Sequence, residues 1–195
     1  MRCFIAADLD PALRQKVVEL QKELVGLDAK LAKPENLHFT LKFIGEASEG
    51  TVNKVKDLLG KLVAEWEPFE IGISSIGVFP SEKFIRIVWI GAKPHSPKGT
   101  EPSLFNLQSA INQALAEFFK KEKPGQNDAK RQSTIHLTIA RVRSQKYIDE
   151  IIKFAKKHEN TWIGNMRIDR IKLKKSTATN KGPVYEDVEI FELGQ

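Results

Sequence analysis

Apolar and polar positions along the chain recur with two different periods, and the changes of period mark out the elements. Residues 3–8 (Cys-Phe-Ile-Ala-Ala-Asp) are an apolar run of strand length. Asp10-Pro11 then supplies a helix N-cap with proline at the first helical position, where a backbone N–H is not needed. Leu13, Val17, Leu20 and Leu24 follow at i, i+4, i+7 and i+11, so one face of that helix is apolar, and Gly26 closes it. A strand over 37–44 ends at Gly45. Ser48 opens a second helix with Val52, Val55, Leu59 and Leu62 on one face, and 69–79 reads as a strand ended by Pro80.

A related order begins after Pro80-Ser81. Residues 84–90 read as a strand, 91–102 as a loop rich in Pro, Gly and Ser, and a helix from Ser103 carries Leu104, Leu107, Ile111, Leu115 and Phe118. A polar linker from Lys120 to Arg131 leads to a strand at 134–140. A helix from Ser144, a strand at 166–175 and a last strand at 184–193 complete the chain, the last one behind the turn signal Asn180-Lys181-Gly182-Pro183. Each half thus runs strand, helix, strand, helix, strand, a repeat of order without close identity. The expected fold is α+β and bilobal. Two pseudo-symmetric lobes, about 1–80 and 81–195 of a single domain, each carry an antiparallel-type sheet and outer helices around a central cleft. Exchange of terminal strands between the lobes is left open.

A tripeptide repeats at the same place in both halves: His38-Phe39-Thr40 and His136-Leu137-Thr138. Side chains alternate along a strand, so His and Thr of each triplet share a face. Leu37, Phe39, Leu41 and Phe43 fall on one side of the first strand, with His38, Thr40 and Lys42 on the other. Ile135, Leu137 and Ile139 oppose His136, Thr138 and Ala140 in the second. The apolar sides would lie under the helices, leaving two polar sides to face one another across a cleft. The chain has four histidines; His95, in a Pro/Gly loop, and His158, near a helix end, lack this context and are expected at the surface.

Two His/Thr pairs fit some chemistries poorly. Structural zinc takes four ligands and catalytic zinc three plus water, whereas the triplets offer two histidines and no carboxylate. No nucleophile-elbow motif accompanies them. Two imidazoles on opposite sides of a small substrate instead suit in-line displacement with one general base and one general acid, since histidine titrates near neutrality. Threonine hydroxyls can bond phosphate oxygens, and a lysine or arginine can offset their charge. Phosphate ester chemistry on an anionic substrate is the best match, without metal or other cofactor.

Composition narrows the setting. With 41% hydrophobic and 29% charged residues the 195-residue chain is globular. Cys3 is the one cysteine, which excludes an internal disulfide, a cysteine zinc cluster and a CxxC redox motif. The apolar start meets Asp8 and Asp10 too soon for a signal peptide, and no run approaches the roughly 18 to 20 residues of a membrane span. A soluble, cytoplasmic, monomeric protein is expected. The balance of 31 Lys+Arg against 25 Asp+Glu, net +6, suits an anionic partner such as nucleic acid, and equally a solubilising surface.

The paired His-x-Thr motifs resemble those of the two-histidine phosphoesterase superfamily. Met1–Leu9, Glu35–Gly45, Ile76–Pro80, His136–Val142 and Leu173–Tyr185 are similar to archaeal RNA 2′,3′-cyclic phosphodiesterases, also called 2′-5′ RNA ligases, over nearly the whole chain. The resemblance implies hydrolysis of an RNA 2′,3′-cyclic phosphate end to a 2′-phosphate, with reversible ATP-independent 2′-5′ joining as a second activity. It implies His38 as the acid on the leaving 3′-oxygen, His136 as the base on water, and Thr40 and Thr138 on phosphate oxygens. Arg141 matches the family's phosphate-contacting arginine, although strict alternation puts it on the apolar face with Ile139, so the strand must end or bulge near Ala140, or the side chain reach round. Lys42 is a further candidate for phosphate. Phe79 and Trp89 are expected in the core, Tyr185 at the cleft or its rim, and the basic 120–131 segment either along RNA or as a solvated loop. A non-catalytic RNA-binding module and a small-nucleotide cyclic phosphodiesterase are the alternatives.

Overall fold

The structure, a computed structural model, describes residues 1–94, 103–122, 135–180 and 182–194. His95 and most of the 120–131 segment lie outside the described residues. The elements are β1 (Arg2–Asp8), α1 (Pro11–Lys22), β2 (Ala29–Leu31), a 3-10 turn (Pro34–Asn36), β3 (His38–Glu46), α2 (Glu49–Ala64), β4 (Phe69–Ser81), β5 (Phe84–Pro94), α3 (Leu104–Glu122), β6 (His136–Val142), α4 (Ile148–Lys157), β7 (Trp162–Ile168), β8 (Arg170–Thr179) and β9 (Gly182–Glu192).

Local chemistry accounts for the helix starts. Asp10 accepts from the Ala12 N–H at 2.7 Å ahead of Pro11, and Ser48 accepts from the Thr51 N–H at 3.1 Å. α1 ends at Lys22 with Glu23 as a still right-handed C-cap, and Gly26, at φ +86°, completes the exit. On α2 the core stripe is Val52, Val55, Leu59 and Val63, with Leu62 only half-buried. Leu104, Leu107, Ile111 and Leu115 of α3 are buried as their spacing predicts; side chains of this size contribute about 1.5–3 kcal/mol each when fully buried.

The strands form one curled antiparallel sheet in the order β7-β4-β5-β6-β3-β1-β8-β9, with β2 also pairing β6. The α+β, antiparallel expectation holds. The arrangement within it is one sheet of two halves rather than two sheets: β4, β5, β6 and β7 on one side, β3, β1, β8 and β9 on the other. Residue 80 falls inside the β4–β5 hairpin, within one half. The helices cross over. α1 and α4 pack on the β6 side, α2 and α3 on the β3 side. The 166–175 stretch, read as one strand, is two, because Asp169 breaks it between β7 and β8. β2 and β7 as a separate element carry too few alternating residues to announce themselves.

Among the described residues the halves join at one bridge, Phe39 opposite Leu137, both fully buried. The helices cover the apolar face of the sheet. The other face, bearing both His-x-Thr pairs, is the concave one, and no helix of the described residues covers it.

Candidate active site

The Phe39–Leu137 bridge is a local two-fold axis. Carried one residue to either side, the antiparallel register sets His38 toward Thr138 and Thr40 toward His136 on the concave face. His38 and His136 are then diagonal neighbours, which a regular sheet sets about 7–8 Å apart, a gap suited to a phosphate held between two rings. His38, Thr40, His136 and Thr138 are all half-buried, and the residues between them are fully buried.

Each histidine stands among aromatic rings. His38 contacts Phe4 (centroids 5.0 Å) and Tyr185 (5.3 Å, edge-on), and Phe4 and Tyr185 touch each other at 4.9 Å. His136 meets Phe79 edge-on at 5.1 Å, and Phe79 stacks on Trp89. Phe79 and Trp89 are therefore walls of the cleft rather than core residues, and Trp89 can lie flat because Gly77 and Gly91 leave room beneath it.

Both strands bulge one residue after the motif. In β3, Thr40 pairs with Ala6 and Lys42 with Ile5, so Leu41 is extra. In β6, Thr138 pairs with Trp89 and Ala140 with Val88, so Ile139 is extra. Such a residue resets the alternation and leaves its own backbone unpaired in the ladder. Two buried glutamines from helices bond these bulged residues: Gln108 Nε2 donates to the Leu41 carbonyl at 3.0 Å, and Gln21 Nε2 joins the Ala32 N–H (2.8 Å) in donating to the Ile139 carbonyl, at 2.8 Å.

The reset decides which side chains join the site. Ile139 and Ala140 are both buried, and Arg141 returns to the face of His136 and Thr138, resolving its conflict with simple alternation. Its charge reaches both His38 and Tyr185 across the seam. The bulge in β3 acts the other way on Lys42. That residue lies opposite Ile5, a core position, so the alternation that set it beside His38 and Thr40 does not hold. Phe43, expected in the core, instead pairs with Phe4 on the histidine face and is 67% exposed. It is the two-fold counterpart of Arg141. Counting two residues at a time missed it; the matched spacing of the two motifs was the signal that could have found it.

His38 is set chemically as well as geometrically. Its Nδ1 lies 2.7 Å from the Asn36 carbonyl, so Nδ1 carries the proton and Nε2 is left for substrate. Burial pushes its pKa below the ordinary histidine value; the Asn36 carbonyl and the Asp8 carboxylate pull it back up, while Lys174 and Arg141 push it down. Asp8 pairs with His38 across β1–β3 and belongs to a four-membered ion cluster. Lys174, 5% exposed, contacts Asp8 at 3.0 Å and Asp187 at 2.6 Å, and Lys172 bridges the same two carboxylates. Burial pushes the Tyr185 hydroxyl up, against the charges of Arg141 and Arg2. His158 differs from its expectation: it is buried between Thr161 Oγ1 (3.1 Å) and Glu23 Oε1 (3.0 Å), tying α4 to the end of α1. Among the described residues no three His, Cys, Asp or Glu side chains converge as a metal site.

A family profile described as LigT like Phosphoesterase matches residues 6–89. A curated protein of Methanothermobacter thermautotrophicus, named RNA 2′,3′-cyclic phosphodiesterase, is 36% identical over 197 residues and 99% of both chains. The chain belongs to the LigT-like phosphoesterase family. A protein of the same name from Archaeoglobus fulgidus is 34% identical over 98% of this chain and 100% of its own. A crystal structure from Thermus thermophilus superposes with a TM-score of 0.80 at 26% identity, covering 100% of this chain and 98% of the other. The LigT-like membership bears out the resemblance seen in the two motifs.

Proposed function

We propose that this LigT-like phosphoesterase hydrolyses RNA 2′,3′-cyclic phosphate ends to 2′-phosphates by two-histidine acid/base catalysis without a metal. The supporting observation is the Phe39–Leu137 bridge, which draws both His-x-Thr pairs onto one concave face. The names of its relatives point to the same substrate.

The phosphodiester anion lies between the rings, its oxygens taken by Thr40, Thr138 and Arg141. His136 accepts a proton from water as the water oxygen bonds to phosphorus. The P–O3′ bond breaks in line, and protonated His38 delivers its proton from Nε2 to O3′. Arg141 offsets the charge that builds on the phosphoryl oxygens. An RNA 5′-hydroxyl in place of water gives a 2′-5′ linkage by the same bond changes. Phe43 offers the terminal base a stacking surface at the position equivalent to Arg141. The same reading carries a cytoplasmic monomer acting as one domain over 1–195; the described residues include no helix long and apolar enough to cross a membrane.

The test is turnover of a cyclic-phosphate dinucleotide in EDTA, with the phosphate position of the product determined. His38→Ala and His136→Ala each reduce kcat by about 10²-fold or more with the fold intact. Full activity in either variant overturns the two-histidine mechanism, and loss of wild-type turnover in EDTA overturns its metal independence.

A further inference from the structure

The cleft does not end at His136. Following the pairings outward along one lateral row, His136 lies opposite Gly91, Gly91 opposite Ser74, and Ser74 opposite Trp162 at the edge of the sheet. Paired residues share a face, so Trp162 stands on the concave face in line with the histidine. Three strand spacings of about 4.8 Å put it about 14 Å away along the sheet. A terminal nucleotide seated between the histidines cannot cover that distance; the residues before it in an RNA chain can.

The floor between is made of small residues, Gly91 and the buried Ser74, and glycines lie beside it. At Gly72 an added Cβ would lie 2.6 Å from the Trp162 ring, and at Gly77 it would lie 2.3 Å from the Trp89 ring. Each indole thus rests on a glycine, and Trp162 remains 57% exposed. Gly72, beneath the ring, is flanked in its own row by Lys93 on β5 and Asn165 on β7, both exposed, so the row continues into a cation on one side and an amide on the other. An exposed ring with a cation alongside, continuous with a phosphate-binding hollow, matches single-stranded nucleic acid, which offers a base to the ring and a phosphate to the cation.

We propose that the face carrying Trp162, Gly72 and Lys93 is a second RNA subsite, which stacks a base upstream of the cyclic phosphate end. The proposal deepens the reading above and rests on it. It makes the substrate an oligonucleotide rather than a free nucleotide.

The experiment compares kcat/KM for a cyclic-phosphate-ended hexanucleotide and for a nucleoside 2′,3′-cyclic phosphate in wild type, Trp162→Ala and Trp162→Phe. Trp162→Ala lowers the hexanucleotide value about 5- to 150-fold, mainly through KM, leaves the mononucleotide value unchanged, and is largely rescued by Trp162→Phe. Equal loss on both substrates, or no loss on the hexanucleotide, overturns the subsite. A parallel arm measures fluorescence anisotropy of a labelled hexanucleotide ending in a 3′-phosphate, which needs no turnover. If wild type hydrolyses neither substrate, the proposed reaction fails while this arm still decides the subsite: weaker binding by Trp162→Ala supports it, and unchanged binding overturns it.

Discussion

Gln21→Met tests whether the bulge in β6 is held from behind by a helix. Gln21, 3% exposed, donates from Nε2 to two carbonyls, Ala32 at 2.9 Å and Ile139 at 2.8 Å. Methionine keeps nearly the same volume and flexibility and removes both bonds. The Ile139 carbonyl retains the Ala32 N–H at 2.8 Å, so it is not orphaned. What is lost is two hydrogen bonds of about 0.5–1.5 kcal/mol net each, giving about 1–3 kcal/mol of stability. For a chain of this size that is a fall in Tm of about 2–12 °C. The functional effect is separate. A loosened bulge lets Arg141 drift from the histidine face, so KM for the cyclic phosphate rises several-fold more than kcat falls. Thermal unfolding and steady-state kinetics on the same preparations measure the two effects, with Gln108→Met as the comparison that loosens the other bulge. A Gln21→Met protein with stability within about 0.5 kcal/mol of wild type, or one destabilised with KM unchanged, would refute the argument that this side chain sets Arg141.

Two other outcomes follow from side chains around the histidines. Gly77→Ala drives Cβ into the Trp89 ring, at a cost of about 1–3 kcal/mol by urea unfolding, whereas in a Trp89→Ala background the same change is neutral or stabilising by up to about 1 kcal/mol; equal effects in both backgrounds would show that the ring does not rest there. Asp8→Asn removes a carboxylate that raises the His38 pKa, among Lys174, Arg141 and the Asn36 carbonyl, so the His38 titration moves further below its ordinary value. With His38 as the acid, the alkaline limb of kcat/KM shifts to lower pH in this variant; a shift of the acidic limb instead reassigns His38 as the base, and a shift upward refutes the sign given to Asp8.

The fold class and the two histidines were legible because their signals are periodic. Val52, Val55 and Leu59, or Leu107, Ile111 and Leu115, declare a buried helical face by spacing alone, and the two triplets declare themselves by repetition. The register was not legible, since a bulge is a matter of one residue and leaves no compositional trace at Leu41 or Ile139. That single residue explains why Lys42 was placed on the histidine face, why Phe43 was placed in the core, and why Arg141 looked misplaced. The glutamines that satisfy the two bulges come from helices far along the chain, and neither sequence position hints at the contact. Strand order was illegible for a related reason: the crossover of α1 and α3 between halves depends on which sheet edge each strand meets, not on the strands themselves.

The unlike residues that follow the two bulges, Arg141 and Phe43, have a consequence for the direction of approach. A hollow with true two-fold symmetry would accept a cyclic phosphate in either of two opposed poses, each presenting the same leaving oxygen to a different histidine. With a guanidinium at one end and a phenyl ring at the other, only one pose sets anion against cation and nucleobase against ring. On the proposed reading, a duplicated half-site becomes a reader of strand polarity through one pair of mismatched residues.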